Sequence, residues 1–297
     1  MLQGNWYVNS VYVETEVSSW SNLVKILETS FLDWPEFIYR GQSDSEWPLR
    51  SKFDREYKNI CTEIVNFNST PLTSFKGEAV IPERSNILDT HLQNFKLRSV
   101  GRRGLNPAKL STLEWWGMGQ HFGLATPLLD WSLSPYVSLF FSLCNTNQPK
   151  SGFHALWAFT PRSFHDLHSN QNPEIQSEDL SIRFIQEALC DENHRIVSQR
   201  GVFTQTPNGE DIEEFIDKSI ELKGFAPVLY KINIPSRYRD DFLRHLDAMN
   251  INAATLFPDM TGVAELTNRE LEKIKTTLLR ERSNEFTERL LADNLCH

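Results

Sequence analysis

The stretch LEWWGMGQHFGLATPLLDWSLSPYVSLFFSL, residues 113–143, sets a strand and a helix in close succession. Leu128 and Leu129 predict a buried strand, and Ser134-Pro135 predicts a helix start. A serine oxygen at the cap accepts from an orphan N–H of the first turn, and proline fits the first helical position. Within this stretch, Gln120 to Ser132 concentrates polar groups in an otherwise apolar run. Polar groups buried in such a setting need partners.

Working outward, Trp20, Leu23, Val24, Leu27 and Phe31 recur at helical spacing behind a capping Ser19, and Asp33-Trp34-Pro35 ends that helix. Residues 36–42, EFIYRGQ, read as a short buried strand closed by Gly41, with Arg40 emerging at its end. Further strands are predicted over 153–159, 201–206 and 228–234, and helices over 181–190 and 240–249. The polar segment 61–90, broken at Asn66, Asn68, Ser69, Thr70 and Pro71, reads as an insertion. Leu271, Ile274, Leu278, Phe286 and Leu290 mark one or two charged C-terminal helices, which either pack on the core or dock a partner. No internal repeat is present, so solenoids and propellers are excluded. The expectation is an α+β fold with one unit over 1–265 and a helical extension over 266–297.

With 297 residues, 40% of them hydrophobic, the chain can bury a large core. No segment approaches the ~20 uninterrupted apolar residues of a membrane span, and the N-terminus lacks a basic flank followed by an apolar core, so the expected location is cytoplasmic without membrane attachment. Cys61, Cys144, Cys190 and Cys296 are widely separated and read as free thiols. A formal charge of −9 argues against coating nucleic acid nonspecifically. Lys96, Arg98, Arg102, Arg103 and Lys109 nevertheless fall in a stretch, His91 to Leu113, without Asp or Glu. That patch is either a solvated loop or a contact for an anionic substrate or partner.

Arg40 on a buried strand requires an anionic partner, a structural carboxylate or a ligand phosphate, because unpaired burial costs several kcal/mol. His121 reads as a catalytic base, a donor to a ribose, or a core histidine with satisfied nitrogens. Asp130 either orients it or caps the following helix. His165-Asp166-Leu167-His168 lacks the third ligand and thiolates of a zinc shell, and a polar loop accounts for it, so no metal is expected. GxSxG, GxxxxGK[ST], HExxH and a GxGxxG between strand and helix are all absent.

Five blocks, YRGQ at 39–42, QHFGLATPLLDWS at 120–132, SPYVSLFFS at 134–142, QRGVF at 199–203 and LFPD at 256–259, together resemble the FRG domain over about residues 20–265. That family's layout is similar to the ADP-ribosyltransferase superfamily, which implies a mixed β core, NAD as substrate and ADP-ribosyl transfer. The resemblance puts Arg40 on the NAD-binding strand with Tyr39, Gly41 and Gln42. It puts Thr126, Asp130, Trp131, Ser132 and Ser134 in the strand that runs into a helix, with Tyr39 or His121 against nicotinamide or ribose. The third catalytic position, usually glutamate, falls on Gln199, with Glu192 and Gln205 as alternatives. A glutamine carbonyl accepts from a ribose hydroxyl, and glycosidic cleavage through an oxocarbenium-like state needs orientation and electrostatics more than a strong base. FRG proteins of this size resemble toxins of bacterial phage-defence modules, including those encoded with an antitoxin and a chaperone that modify messenger RNA. The acceptor, single-stranded RNA in that case, would approach past Lys96, Arg98, Arg102 and Arg103. A nucleotide- or protein-binding module without turnover, and an NAD glycohydrolase, are the competing readings.

Overall fold

The computed structural model describes residues 5–68, 81–173, 181–186 and 194–271, with further positions at 274, 277–278 and 281–282. Among them, strands β1 (Tyr7–Val8), β2 (Val13–Glu16), β3 (Ile38–Gln42), β4 (Leu129–Ser132), β5 (Phe153–Phe159), β6 (Arg183–Ile185), β7 (Gly201–Gln205) and β8 (Leu229–Pro235) form one mixed sheet. Their spatial order is β1-β2-β8-β5-β3-β4-β7-β6, and every pairing is antiparallel except β2 with β8. The chain is therefore of the α+β class.

Both faces of the sheet are covered, as the alternation along β5 requires: Leu156 and Ala158 face one side, Ala155, Trp157 and Phe159 the other. The first side packs under helices α1 (Trp20–Ser30), α5 (Pro135–Leu143), α9 (Arg239–Ala248) and α10 (Ala253–Leu256) through Leu27, Phe140, Phe242 and Leu256. The second lies under α6 (Pro161–Gln171) and α8 (Ile212–Ser219) through Phe164, Phe215 and Ile216. A third cluster joins α3 (Arg84–Arg98) and α4 (Thr112–His121) to β7 through Leu92, Trp116 and Phe203. Burial of whole aromatic and leucine side chains contributes roughly 1.5–3 kcal/mol each, which is why these faces and not hydrogen bonds set the layers.

The expected start signals operate. Ser19 caps α1 by accepting from Asn22 N at 3.1 Å, and Ser134 caps α5 by accepting from Val137 N at 3.4 Å, with Pro135 following. Other expectations change. The segment predicted as a helix over 181–190 instead contributes β6, in which Ile185 is buried and Phe184 exposed. Arg183, Phe184 and Ile185 pair with Gln205, Thr204 and Phe203, so neighbouring β7 overrides local helix propensity; positions 187–190 lie outside the described residues. The polar segment 61–90 is helical at both ends, because α2 (Lys52–Asn68) runs through its first part and α3 begins at Arg84; 69–80 lie outside the described residues. His165 and His168 sit on α6, not on a loop, and His168 is buried against Phe164 with Nδ1 at 3.3 Å from Ser181 Oγ.

Residues 260–271 are helical and return to the body: Leu266 packs on the first cluster, and Arg269 donates to Cys144 O at 3.0 Å while covering Phe140. Cys61 and Cys144 are free thiols, whereas Cys190 and Cys296 lie outside the described residues. No helix among the described residues is long and apolar enough to cross a membrane.

Candidate functional site

The sheet parts at one line. β3 pairs with β5 over five residues and β4 with β7 over four, but β3 and β4 share only Tyr39 opposite Ser132. Beyond that rung the two strands diverge, and the Arg40 guanidinium spans the gap, donating from Nη1 to Asp130 O at 2.6 Å. A cavity of about 330 Å³ opens here, lined by Arg40, Gln120, His121, Asp130, Ser132 and Gln199 on its polar side. Phe141, Ile196, Phe203 and Phe257 form its apolar side.

Gly41 makes this geometry possible. A Cβ at that position would lie 1.9 Å from Ser138 O and 2.5 Å from Ser142 N, so α5 rests directly on β3. The contact is fixed by Ser138 Oγ donating to Tyr39 O at 2.8 Å. The α5 backbone thereby presents Phe141 to the cavity, where it meets Phe257 edge to face at 5.9 Å.

The charges at the cavity floor are coupled. Burial pulls the Arg40 guanidinium down from its ordinary value, while the nearby Asp130 carboxylate pushes it back up. Arg40 Nε is buried with no partner among the described residues, so the guanidinium keeps a donor in reserve. Enclosure by the surrounding protein pushes Asp130 upward, and Arg40, the Gln120 side chain and Arg55 oppose that push. Solvent still reaches Asp130 through the open cavity, which tempers the effect of enclosure.

Of the residues expected at the site, Tyr39, Arg40, Gly41, His121, Asp130, Trp131, Ser132 and Gln199 border the cavity. Trp131 does so with its indole committed elsewhere, since Nε1 donates to Thr204 Oγ1 at 2.8 Å within the second cluster. Ser132 is a strut: Oγ donates to Gln199 O at 2.7 Å and accepts from Ser134 N at 3.0 Å. Gln199 is tied down through Nε2, which donates to Leu256 O at 3.0 Å. His121 stands half-buried against the Phe122 ring at 4.7 Å.

Three expectations are corrected by geometry. Gln42 is buried in the core, donating to Pro48 O at 3.2 Å and accepting from Trp157 Nε1 at 2.8 Å, because strand alternation turns it toward the second cluster. Ser134 is spent on capping α5. Thr126 lies behind the cavity wall, where its hydroxyl donates to Gln120 Oε1. Gln205 lies at the end of β7 away from this cavity, and Glu192 is outside the described residues. Lys96 and Arg98 close α3, and Arg102 and Arg103 follow in the next loop, all outside the cavity lining. Arg103 stacks on Trp115 at 4.8 Å and donates to Ala108 O at 2.9 Å, so it is more ordered than a solvated loop requires.

Sequence reasoning missed Gln120, Phe141, Phe203 and Phe257 as lining residues. All four stand in the five blocks quoted above, yet nothing local distinguishes a phenylalanine that walls a cavity from one that fills a core.

In comparison with known families, residues 35–151 match the sequence model of the FRG domain. The match contains the blocks at 39–42, 120–132 and 134–142 and stops short of those at 199–203 and 256–259, so it is narrower than the span of 20–265 expected from the sequence. No curated protein and no solved structure matches the chain.

Proposed function

We propose, from the premise that residues 35–151 form an FRG domain, that this protein binds NAD at the parting of the sheet and transfers ADP-ribose to a macromolecular acceptor. The observation that carries the reading is the cavity itself: a half-buried cation and a carboxylate at its floor, with an aromatic wall opposite. Sites of this size and mixture, apolar with a few convergent polar groups, suit small ligands such as a nucleotide half. Arg40 Nε, buried without a partner among the described residues, is the donor for a diphosphate oxygen, to which a planar guanidinium binds well.

Phe141 and Phe257 offer an apolar slot for the nicotinamide ring. In the reaction the bond from the ribose C1′ to the nicotinamide nitrogen breaks, and nicotinamide leaves with the bonding pair. An acceptor oxygen or nitrogen then forms the new bond to C1′ and releases its proton. Asp130 and the fixed dipoles around it favour the positive charge that develops on the ribose. Gln199, held through Nε2, has its Oε1 left to accept from a ligand hydroxyl.

The acceptor we infer is RNA, approaching over Lys96, Arg98, Arg102 and Arg103. That loop leads into α4, whose far end carries Gln120 and His121; Trp115, under Arg103, is about 9 Å along the helix axis from His121. Modification of RNA by such an enzyme would arrest growth, the behaviour of a toxin held by an antitoxin. A second reading, nucleotide binding without turnover, is favoured by the glutamine at 199 and by its tether to Leu256.

Incubation with NAD labelled in the adenylate, alone and with RNA, DNA or protein, separates these outcomes. Label on RNA is the expected result. Free labelled ADP-ribose means hydrolysis, and intact NAD with measurable affinity means a binding module. Arg40→Ala should reduce NAD binding and turnover at least about 100-fold with the fold retained. Full activity in that variant would remove Arg40 from the site.

A further inference from the structure

Gln120 takes no part in the chemistry proposed above, yet it lies between a buried hydroxyl and the carboxylate of the cavity lining, Asp130. Its amide has two unlike ends, an accepting oxygen and a donating NH2. Thr126 Oγ1 donates to Gln120 Oε1 and itself accepts from Leu128 N at 3.4 Å. Thr126 is 1% exposed, and its segment is pinned from two helices. Phe53 N donates to Thr126 O at 3.2 Å, and His91 Nε2 lies 3.0 Å from Ala125 O. The amide is therefore held in one orientation, with Oε1 on Thr126 and its donating end left for the cavity, where the Gln120 side chain draws the Asp130 carboxyl downward.

We propose that Asp130 grips adjacent hydroxyls of a ligand ribose, and that Gln120, locked by Thr126, is the positioning residue that aims it. This rests on the nucleotide reading given above. A carboxylate has about four lone-pair positions. Gln120 acts on it from α4, and the positions open to the cavity suit two donors on neighbouring carbons, as in a ribose cis-diol. If the amide were free to turn, its oxygen would face the carboxylate and the two acceptors would repel. The charged groups that act on Asp130 are Arg40 on β3 and Arg55 on α2; Tyr39 on β3 and His121, on α4 beside Gln120, are the other titratable side chains of the lining among the described residues.

Two measurements test the proposal. In the first, the Asp130 carboxyl is titrated by carbon-13 NMR in the wild type, Thr126→Val, Thr126→Ser and Gln120→Leu, with thermal unfolding as a check on the fold. Thr126→Val and Gln120→Leu should move the Asp130 midpoint upward, and Thr126→Ser should restore it. An unchanged midpoint in both would overturn the locking role, and this result does not depend on any ligand.

In the second, binding of ADP-ribose and of its 2′-deoxyribose counterpart is measured by calorimetry. Thr126→Val, Gln120→Leu and Asp130→Asn should each weaken ADP-ribose about tenfold, the loss of one hydrogen bond to a charged group. None should affect the deoxy compound comparably. Equal weakening of both ligands would overturn the diol assignment. Absence of ADP-ribose binding in the wild type would instead overturn the nucleotide reading, and the gripping role with it.

Discussion

Glu213 illustrates how one residue's setting becomes a property of the whole protein. Its carboxylate accepts from Leu49 N at 3.1 Å, on the face of the sheet opposite α5, and burial pushes it up to about 7 from an ordinary 4.5. The folded chain thus holds a proton that the unfolded chain releases. This contribution to stability is fully present below pH 4.5, declines as pH rises toward about 7, and is flat above. Glu213→Gln keeps an acceptor for Leu49 N and removes the titration. At pH 8 the variant should melt about 2–4 °C above wild type, with the difference shrinking as the pH is lowered to 5. A constant difference between pH 5 and 8 would show that Glu213 is not the group responsible. Arg40 has the converse setting: an arginine never loses its proton in this range, so its burial is answered by Asp130 and by whatever anion enters the cavity.

At the scale of elements, α4 shows how a helix end sets the site. Gly123, with φ +84°, ends it, and Leu124 N donates back to Gly119 O at 2.9 Å in the manner of a Schellman turn. That turn reverses the chain so that Gln120 and His121 face the cavity while Thr126 returns behind them. Gly123→Ala has open space around its Cβ but the wrong backbone conformation for a side chain. We expect a cost of about 1–2 kcal/mol, read as a lower midpoint in urea with an unchanged slope. A larger loss would mean that Phe122 and Leu124 repack. The helix start at Ser134-Pro135 and the strand over Ile38–Gln42 were legible because caps and alternation are local signals. Residues 181–190 were not, because the strand there exists only by pairing with β7, far along the chain. The polar surface of α2 concealed it in the same way: its Asp54 and Phe53 find their partners on α3 and the 125–126 segment.

Over the whole molecule, the decisive feature is the unequal joining of the sheet. One part, β1-β2-β8-β5-β3, is bound by long ladders between two clusters, and the other, β4-β7-β6, is bound to α3 and α4 by the third. Along the strands they meet through the Tyr39–Ser132 rung and through Arg40 reaching Asp130 O, while beneath the sheet Leu129, Trp131 and Val202 of the second part join Trp157 and Phe159 of the first in the second cluster. Sequence reading assigned Arg40 and Asp130 to one site by family resemblance, but it had no means of finding the parting, since a missing rung leaves no mark on either strand's composition. The line where ladder bonds are fewest is where local opening should cost least. A ligand that contacts both Arg40 and Asp130 therefore cross-links the two parts. At 100 times its dissociation constant it should stabilise the protein by about 2.7 kcal/mol, roughly 5–10 °C in melting temperature. Amide hydrogen exchange locates the effect: with NAD present, slowing should concentrate in β3, in β4 and in the turn between Gln199 and Gly201, whose carbonyl at Gln199 receives Ser132. Slowing confined to the loop at 99–110 would place the nucleotide on the basic surface instead, and the parting of the sheet would then be a packing feature without a ligand.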